Sequence, residues 1–356
     1  MIPFCNAPPV QLAVLNPGGN DRDQSFPDGA ATPDAPVPHT PLNYHAYAAC
    51  TRGTFHRDPA RILPTQREIL LVLRRDLKHC LKTLRALKSE SDTRRIAVSL
   101  KESGMHQAAH LLSNPANLTL FRAICTEADG CISSTPDLAG IYRAAGARNV
   151  AFIPTPYPVD SPAWNFTLPL PERAGIFIGT REWTIPSRNH AAALLLASSL
   201  GAPVTVINED GHSGRKRLQS AAIPNLTIIE GRLRYPDYLR IIARHRIVLQ
   251  LDRSAVPGQV AGDALLCGVP CIGGDGAIDR LAHPETCGIS RDPAELREIA
   301  ATLLKDDKAL THIIHQSRCL AQTHLSFPAI AQELARYFID PEQSAETKGI
   351  QTELLL

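Results

Sequence analysis

The segment from His245 to Leu281, HRIVLQLDRSAVPGQVAGDALLCGVPCIGGDGAIDRL, carries the clearest structural pattern in the chain. A nearly continuous apolar run at residues 247–251 is typical of a parallel strand that is buried on both faces. Apolar residues then recur at helical spacing over 259–267, Gly268 stands where a helix C-cap belongs, and 269–272 form a second apolar run. The segment therefore predicts strand, loop, helix and strand, the repeating unit of a parallel α/β sheet.

The start of this predicted helix is a candidate anion site. In an open α/β sheet the turn from strand to helix lies at the carboxyl edge, where the free N–H groups of the helix start attract phosphate. Gly258, Gln259 and Val260 occupy that position. Asp263 lies one turn after Gln259, so the two side chains face the same way.

Alternating strands and helices extend through the rest of the chain. Further strands are predicted at 11–15, 68–73, 96–100, 130–134, 150–153, 176–178, 204–207 and 226–229. Helices are predicted at 76–88, 186–200, 236–243, 293–304, 309–323 and 327–338. A proline-rich stretch without periodicity separates the two blocks, and 356 residues suffice for two hydrophobic cores. The pattern predicts two domains, each with a doubly wound parallel sheet.

Two stretches carry a resemblance to a known family. GDALLCGVPCI (262–272) resembles the EAMACGTPVI segment of the family-4, retaining, two-Rossmann (GT-B) glycosyltransferases. CISSTPDLAGIYRAAGARNVAFIPTPYPVD (131–160) is similar to the end of that family's first domain, which closes on "iPNPVD". The resemblance implies an α/β fold of two Rossmann-like, doubly wound parallel-sheet domains that face each other across a cleft.

The resemblance also implies domain boundaries. We expect an N-terminal acceptor-side domain at 1–160, a linker at 161–174 and a C-terminal nucleotide-sugar-binding domain at 175–325. A terminal helix at 326–340 is expected to cross back to the first domain, and 341–356 to form a tail.

The donor site implied by the family lies in the second domain. Asp263 stands at the family's second glutamate, which holds the nucleotide ribose hydroxyls, whereas the family's first glutamate falls on Ala255. The loop containing Gly179 and Arg181 resembles the family's "vGR" segment, and Arg188 stands at its lysine. A guanidinium can bind the oxygens of a leaving diphosphate in two places at once. The alternative for Arg188 is a solvent-facing helix residue.

The acceptor side has weaker signals. Gly18 and Gly19 follow the first predicted strand, where glycine lets a substrate approach the backbone, although a simple tight turn explains them equally well. His45 belongs to a group of polar and aromatic residues at 42–56 that suits sugar binding. An amphipathic helix with a polar side explains the same stretch.

Three catalytic candidates follow the strand at 96–100. Polar residues at the carboxyl end of a strand are where α/β enzymes place their chemistry, and Lys101, Glu102 and His106 stand there. His106 is the weakest of the three, because a lone histidine is more often a surface or packing residue.

The resulting hypothesis is transfer of a sugar from a nucleoside-diphosphate sugar to a glycan, a lipid-linked saccharide or a protein, as in polysaccharide biosynthesis. The donor is a substrate, so no cofactor is expected, and no metal is expected because helix starts and arginines carry the diphosphate charge. The alternative is a non-catalytic GT-B-like protein that binds a sugar nucleotide or glycan, which Ala255 favours. A nicotinamide enzyme is disfavoured because the first strand is not followed by GxGxxG.

The composition of the chain restricts the classes of binding partner and the expected cellular location. A net charge of +2 is too small to drive nucleic-acid binding. Nine cysteines without a CxxC pair, and an N-terminus without signal-peptide features, predict reduced thiols and a cytoplasmic protein. The basic face of the helix at 76–88 is either solvated or in peripheral contact with the inner face of an anionic membrane. The apolar stretch 191–208 predicts a helix and a buried strand, since Gly201 and Pro203 interrupt it.

Overall fold

The computed structural model describes residues 10–101 and 104–339, which form two compact units. Unit 1 comprises Met1–Pro158 and Leu325–Leu356, and unit 2 comprises Val159–His324. The chain therefore returns to unit 1 after it has completed unit 2.

Unit 1 is built on a seven-stranded sheet. Its strands are β1 (Ala13–Leu15), β2 (Gln24–Ser25), β3 (Thr54–His56), β4 (Glu68–Leu73), β5 (Arg95–Leu100), β6 (Gly130–Ser133) and β7 (Val150–Phe152). Their order in the sheet is β2-β3-β1-β4-β5-β6-β7. All neighbours are parallel except β2, which runs antiparallel to β3. The central strand β4, EILLVL, buries its last five residues, as expected for a strand covered on both faces.

Helices cover the sheet of unit 1. They are α1 (Tyr44–Cys50), α2 (Leu77–Glu90), α3 (Met105–Leu112), α4 (Pro115–Glu127) and α5 (Pro136–Ala144). One hydrophobic core forms between the sheet and α2, α4 and α5. The Asp76 side chain caps α2 by accepting the His79 N–H, and Thr135 caps α5 in the same way before a proline at its first position.

Unit 2 is built on a five-stranded, fully parallel sheet. Its strands are β8 (Ile176–Ile178), β9 (Val204–Asn208), β10 (Leu226–Glu230), β11 (Ile247–Leu249) and β12 (Cys271–Ile272). Their order is β10-β9-β8-β11-β12. Counted within the unit this is 3-2-1-4-5, the Rossmann order, in which the direction of chain progression reverses between β8 and β11.

Each strand of unit 2 is followed in sequence by at least one helix. The helices of the unit are α6 (His190–Ser199), α7 (Gly211–Ser220), α8 (Tyr235–Ile242), α9 (Gln259–Leu266), α10 (Ala277–Ala282), α11 (Pro293–Lys305) and α12 (Asp307–His324). A capping box between Asp292 and Glu295 starts α11. The stretch 191–208 is a helix followed by a buried strand, as predicted. No helix in the described part of the chain is long and apolar enough to cross a bilayer.

A last helix, α13 (Phe327–Ile339), belongs to unit 1. Ile330, Leu334 and Phe338 on its buried face share a hydrophobic core with Tyr47 of α1 and with the sheet. This core covers the face of the unit 1 sheet opposite to α2 and α4. Helix α13 therefore contributes to the core of the first unit.

The structure changes three details of the predicted elements. Residues 42–56 are not one helix with a polar side: α1 has only seven residues, six of them buried, and β3 follows it. The helix predicted from 186 begins at His190, because Asn189 adopts a left-handed φ of 54° that interrupts it. Residues 161–174 pack within unit 2, where Trp164 is 2% exposed and Phe166 donates its N–H to the Leu266 carbonyl.

Candidate functional site

The strand order of unit 2 reverses between β8 and β11. Ligands of open α/β sheets bind at this point, because the loops that follow the two strands diverge to opposite faces. Gly179 follows β8 directly, and Asp252 follows β11 in the loop that leads into α9. The sheet topology therefore brings together two segments that are about seventy positions apart in sequence.

The loop before α9 is held by backbone hydrogen bonds to carboxylates. Asp252 Oδ1 accepts the Ser254 N–H at 2.9 Å, and Asp275 Oδ1 accepts the Ala255 N–H at 3.0 Å. Ala255 adopts a left-handed φ of 48°, a conformation that costs a non-glycine residue about 1 kcal/mol. Gly258 has a φ of 92° and is the N-cap of α9. The start of α9 therefore has no side-chain cap among the described residues.

Gly179 allows β8 to approach α9 closely. A Cβ atom at this position would lie 2.1 Å from Cγ1 of Val260 in the first turn of α9. Only glycine fits such a contact, so the end of β8 and the start of α9 lie side by side.

Arg188 reaches the same loop from a 3-10 turn at Pro186–Arg188. Its Nη1 lies 2.9 Å from Oδ2 of Asp252, which is 1% exposed, and its Nη2 lies 3.5 Å from the exposed carboxylate of Glu182. Asn189 supports this placement by donating from Nδ2 to the Leu251 carbonyl at 3.1 Å. A buried carboxylate thus fixes the guanidinium next to the loop that enters α9.

Arg181 and Asp263 lie in a neighbouring polar cluster. Arg181 Nη1 is 3.1 Å from Glu209 Oε1, and its guanidinium lies 5.1 Å from the Tyr238 ring centre. Burial alone would lower the pKa of Arg181, but Tyr238, Glu209 and Asp263 raise it above its ordinary value. Asp263 is 1% exposed and accepts a hydrogen bond of 2.5 Å from the Tyr235 hydroxyl. Asp263 is therefore a buried acceptor in this structure. Gln259, on the turn before it, is half-buried.

A fully buried carboxyl lies behind the start of α9. Asp279 of α10 is surrounded by three glycines: a Cβ at Gly258, Gly274 or Gly276 would lie 3.1, 2.3 or 2.7 Å from its carboxylate oxygens. Its Oδ1 has no hydrogen-bond partner among the described residues. Burial raises the pKa of Asp279 to about 7, and the adjacent Asp275 acts in the same direction. Asp279 therefore changes its protonation near neutral pH directly beneath the loop.

Unit 1 has a corresponding reversal between β1 and β4. Asn16, the first residue after β1, accepts a hydrogen bond of 3.4 Å from Arg74, the first residue after β4. Asn16 Nδ2 also donates to Asp21 Oδ2 at 3.3 Å, and Lys101 Nζ lies 3.8 Å from the same oxygen. Lys101 is thus part of a polar cluster at this reversal.

The two glycines nominated on the acceptor side have different surroundings. Gly18 has a φ of 70° and open space around it, whereas a Cβ at Gly19 would lie 2.6 Å from Nδ2 of Asn16. The Asn16 side chain therefore packs against Gly19, and both glycines lie beside the polar cluster.

The remaining candidates in unit 1 are not all brought together. His45 is 8% exposed and is stacked between His39 and Phe55, with ring centres 4.5 and 3.9 Å away. Burial lowers the pKa of His45 to about 4, with His39 acting in the same direction, so its ring is neutral at pH 7. His106 is exposed on α3 and makes no hydrogen bond or ion pair with any described residue. Glu102 lies outside the described residues.

Sequence reasoning missed several groups that the structure places at the two reversals. They are Asn16, Asp21, Arg74, Asp252 and Asp279. Three of them could have been found by one signal: Asn16, Arg74 and Asp252 each stand within three residues of the end of a buried strand. The contacts between Asn16 and Arg74 and between Asp252 and Arg188 join residues that are distant in sequence, so they are visible only in the fold.

Comparisons with known proteins show the fold. No family model and no curated sequence matches the chain. A sucrose-phosphate synthase from Thermosynechococcus elongatus is structurally similar, with a TM-score of 0.64 at 14% identity over 92% of this chain and 98% of that one. A UDP-forming α,α-trehalose-phosphate synthase from Burkholderia xenovorans has a TM-score of 0.56 at 12% identity, over 76% of this chain and 72% of that one.

The S. aureus protein TarM has a TM-score of 0.59 at 8% identity, over 77% of this chain and 56% of that one. These three proteins have the GT-B fold, with two Rossmann-like domains. The GT-B fold expected from the sequence is therefore confirmed. At such low identities the likeness concerns the fold alone.

Proposed function

We propose that the protein is a glycosyltransferase that takes its sugar from a nucleoside-diphosphate sugar bound to unit 2. The observation that carries this proposal is the first turn of α9, which lies at the strand-order reversal without a side-chain cap. It lies against Gly179 and follows the loop in which Asp252 pairs with Arg188. Helix N–H groups and a nearby guanidinium are the usual ligands of a diphosphate. The GT-B fold of the similar synthases supports the same assignment.

The two ion pairs of Arg188 differ in strength, which suits ligand exchange. The contact with Asp252 is short and buried, so it keeps the guanidinium in position. The contact with Glu182 is 3.5 Å long, and the Glu182 side chain is 49% exposed. We expect the diphosphate to replace Glu182 and leave Asp252 in place, because an exposed ion pair contributes little to stability.

The proposed reaction depends on stabilisation of the leaving group. The bond between the sugar C1 and the donor phosphate oxygen breaks, and a bond from C1 to an acceptor hydroxyl oxygen forms. The acceptor hydroxyl proton passes to water, and the nucleoside diphosphate leaves with the electron pair of the broken bond as an additional negative charge. We expect the α9 N–H groups and Arg188 to stabilise that charge. Retention of configuration and independence of metal belong to this proposal.

The acceptor is proposed to bind to unit 1. Asn16, Asp21 and Lys101 offer an amide, a carboxylate and an ammonium within one hydrogen-bonded cluster. Such groups bind sugar hydroxyls, and a phosphate or carboxylate on the acceptor could pair with Lys101. A glycan or a lipid-linked saccharide is the expected acceptor class.

Incubation with labelled nucleotide sugars and a panel of acceptors tests the proposal. We expect transfer or slow hydrolysis with at least one donor, and a loss of at least about 100-fold in Arg188→Ala because a transition-state contact is removed. Arg188→Lys keeps the charge but not the two-point contact, so it should retain part of the activity. Binding of a donor without any turnover would contradict an enzymatic function.

One observation favours a binding protein without catalysis. Ala255 occupies the position of the family's first glutamate and offers only a backbone N–H, which is already bound by Asp275. A donor sugar would therefore find no side-chain contact at this position. If donors bind and are not consumed, and if Arg188→Ala abolishes that binding, the alternative function is the correct one.

A further inference from the structure

A second basic region lies at the opposite edge of the unit 2 sheet. A pocket of about 330 Å³ is formed at the amino ends of β8, β9 and β11, between the last turn of α6 and helix α11. Its lining contains four cationic side chains and no carboxylate: Arg173, Arg246, Arg297 and Lys305. We call it the amino-edge pocket.

The arginines of the amino-edge pocket are held mainly by backbone carbonyls. Arg173, only 5% exposed, donates to the carbonyls of Leu168 and Gly268 and to no carboxylate. Arg297 donates to Oγ and to the carbonyl of Ser199 at 3.1 and 3.4 Å. Carbonyls orient these guanidinium groups but do not neutralise their charge.

One carboxylate, outside the lining, reduces the positive charge. Arg246 Nη2 lies 2.7 Å from Oδ1 of Asp307, whose side chain is 67% exposed, and Arg246 also donates to the Leu303 carbonyl. Burial lowers the pKa of Arg173, and the charge of Arg246 acts in the same direction. The cations of the pocket therefore repel one another in the absence of a ligand.

Several donors of this pocket remain available. Nη1 of Arg246, Nη1 of Arg297 and Nζ of Lys305 make no hydrogen bond with any residue that the structure describes. All three residues line the same pocket, and a phosphate monoester has three terminal oxygens that can accept hydrogen bonds from such donors. Arginine forks bind these oxygens with short, charge-assisted hydrogen bonds.

We propose that the amino-edge pocket binds a phosphorylated small molecule of the size of a sugar phosphate. The volume lies at the lower end of the ~300–1,000 Å³ that is usual for small-molecule sites, so it suits a monosaccharide phosphate better than a nucleoside-diphosphate sugar. The pocket lies at the amino edge of the sheet, whereas the start of α9 lies at the carboxyl edge. The proposal therefore does not depend on the proposed function.

Calorimetric titration of the full chain with three probes tests this site: glucose 6-phosphate, inorganic phosphate and glucose. We expect glucose 6-phosphate to bind and glucose not to bind. Tighter binding of glucose 6-phosphate than of inorganic phosphate would support a sugar phosphate as the ligand. Equal affinity would assign the pocket to free phosphate and overturn the sugar part of the proposal.

Variants locate the binding site. Arg246→Gln and Lys305→Gln should each weaken the binding of glucose 6-phosphate at least about 10-fold, and the double variant should abolish it. Arg217→Gln is the matched control, since Arg217 is an exposed arginine on α7 of the same unit. This variant should bind glucose 6-phosphate as tightly as the natural protein does. Circular dichroism and a single cooperative unfolding transition would show that each variant is folded.

Two results would overturn the proposal. One is the absence of binding by either phosphate compound at millimolar concentration. The other is binding that Arg246→Gln and Lys305→Gln leave unchanged, which would place the anion elsewhere on the protein. An Arg188→Ala variant that still binds glucose 6-phosphate, together with the losses above, would separate this pocket from the donor site.

Discussion

The two edges of the unit 2 sheet both present arginines, but they balance the charge in different ways. At the carboxyl edge, Arg188 pairs with the buried Asp252 and Arg181 pairs with Glu209. At the amino edge, Arg173 donates to carbonyls and Arg297 to the hydroxyl and carbonyl oxygens of Ser199. Among the described residues, only Arg246 of the pocket arginines has a carboxylate partner. The number of basic residues therefore does not locate an anion site. The hydrogen-bond partners of the basic residues are more informative. At the carboxyl edge an anion would meet backbone N–H groups, whereas at the amino edge it would meet side-chain charge that carboxylates do not fully neutralise.

The largest expected contrast is between Arg188→Ala and Arg246→Ala. The first leaves Asp252 as an unpaired buried carboxylate and should lower the free energy of unfolding by about 3–5 kcal/mol. The second leaves the exposed Asp307 in water and should cost about 1 kcal/mol. Urea unfolding measures both values. Equal losses would mean that the pair with the buried Asp252 stabilises the fold no more than the pair with the exposed Asp307.

A double variant serves as the control for this contrast. Asp252→Asn in the Arg188→Ala background removes the buried charge and should recover most of the lost stability. If it does not, the loss in Arg188→Ala comes from packing instead of charge.

The next effect concerns Asp279, for which the amino edge has no counterpart. The folded state keeps the carboxyl proton up to about pH 7, whereas the unfolded chain loses it near 3.8, so rising pH destabilises the fold between these values. Asp279→Asn removes the titrating carboxyl and with it this loss of stability. The stability of the variant relative to the natural protein should therefore rise by about 3 kcal/mol between pH 5 and pH 8. Parallel stability curves would show that Asp279 does not titrate in this range.

Close packing at the carboxyl edge predicts a third effect. Gly179→Ala places a methyl group against Val260 and should destabilise the fold by about 2 kcal/mol. Val260→Ala in the same chain should relieve part of that cost. Gly140→Ala on α5 is the control, since open space surrounds Gly140 and alanine favours helix, so thermal unfolding should show a slight stabilisation.

The smallest effect has the opposite sign at the two edges. Lys305→Gln reduces repulsion in the amino-edge pocket and should raise the free energy of unfolding by about 0.3 kcal/mol at low salt. Arg181→Gln breaks the pair with Glu209 and should lower it. High salt should remove the Lys305 effect. A loss of stability in Lys305→Gln would contradict the inferred excess of positive charge.

The sequence predicted the long and regular elements best. Strands β4 and β8 have the predicted bounds, because continuous apolar runs identify buried parallel strands. It did not predict β3 or the short, buried α1, since three and seven residues are too few to establish a period. The break at Asn189 was also invisible, because a left-handed residue depends on local backbone geometry.

The candidate site could be predicted only as a set of residue types. The helix start at Gly258 follows from the strand, loop and helix pattern around it. The pair between Arg188 and Asp252 spans 64 positions, and the approach of Gly179 to Val260 joins separate loops. The burial of Asp263 against Tyr235 likewise depends on how α8 packs on α9. Such contacts follow from the strand order, which no local pattern contains.

The most direct test of the central claim is a crystal structure of the protein soaked with a nucleoside diphosphate that stabilises it against heat. The account predicts diphosphate density against the N–H groups at the start of α9, beside Gly179, with the Arg188 guanidinium turned from Glu182 towards it. Density for the diphosphate in the amino-edge pocket or on unit 1, with the start of α9 empty at saturating ligand, would contradict it.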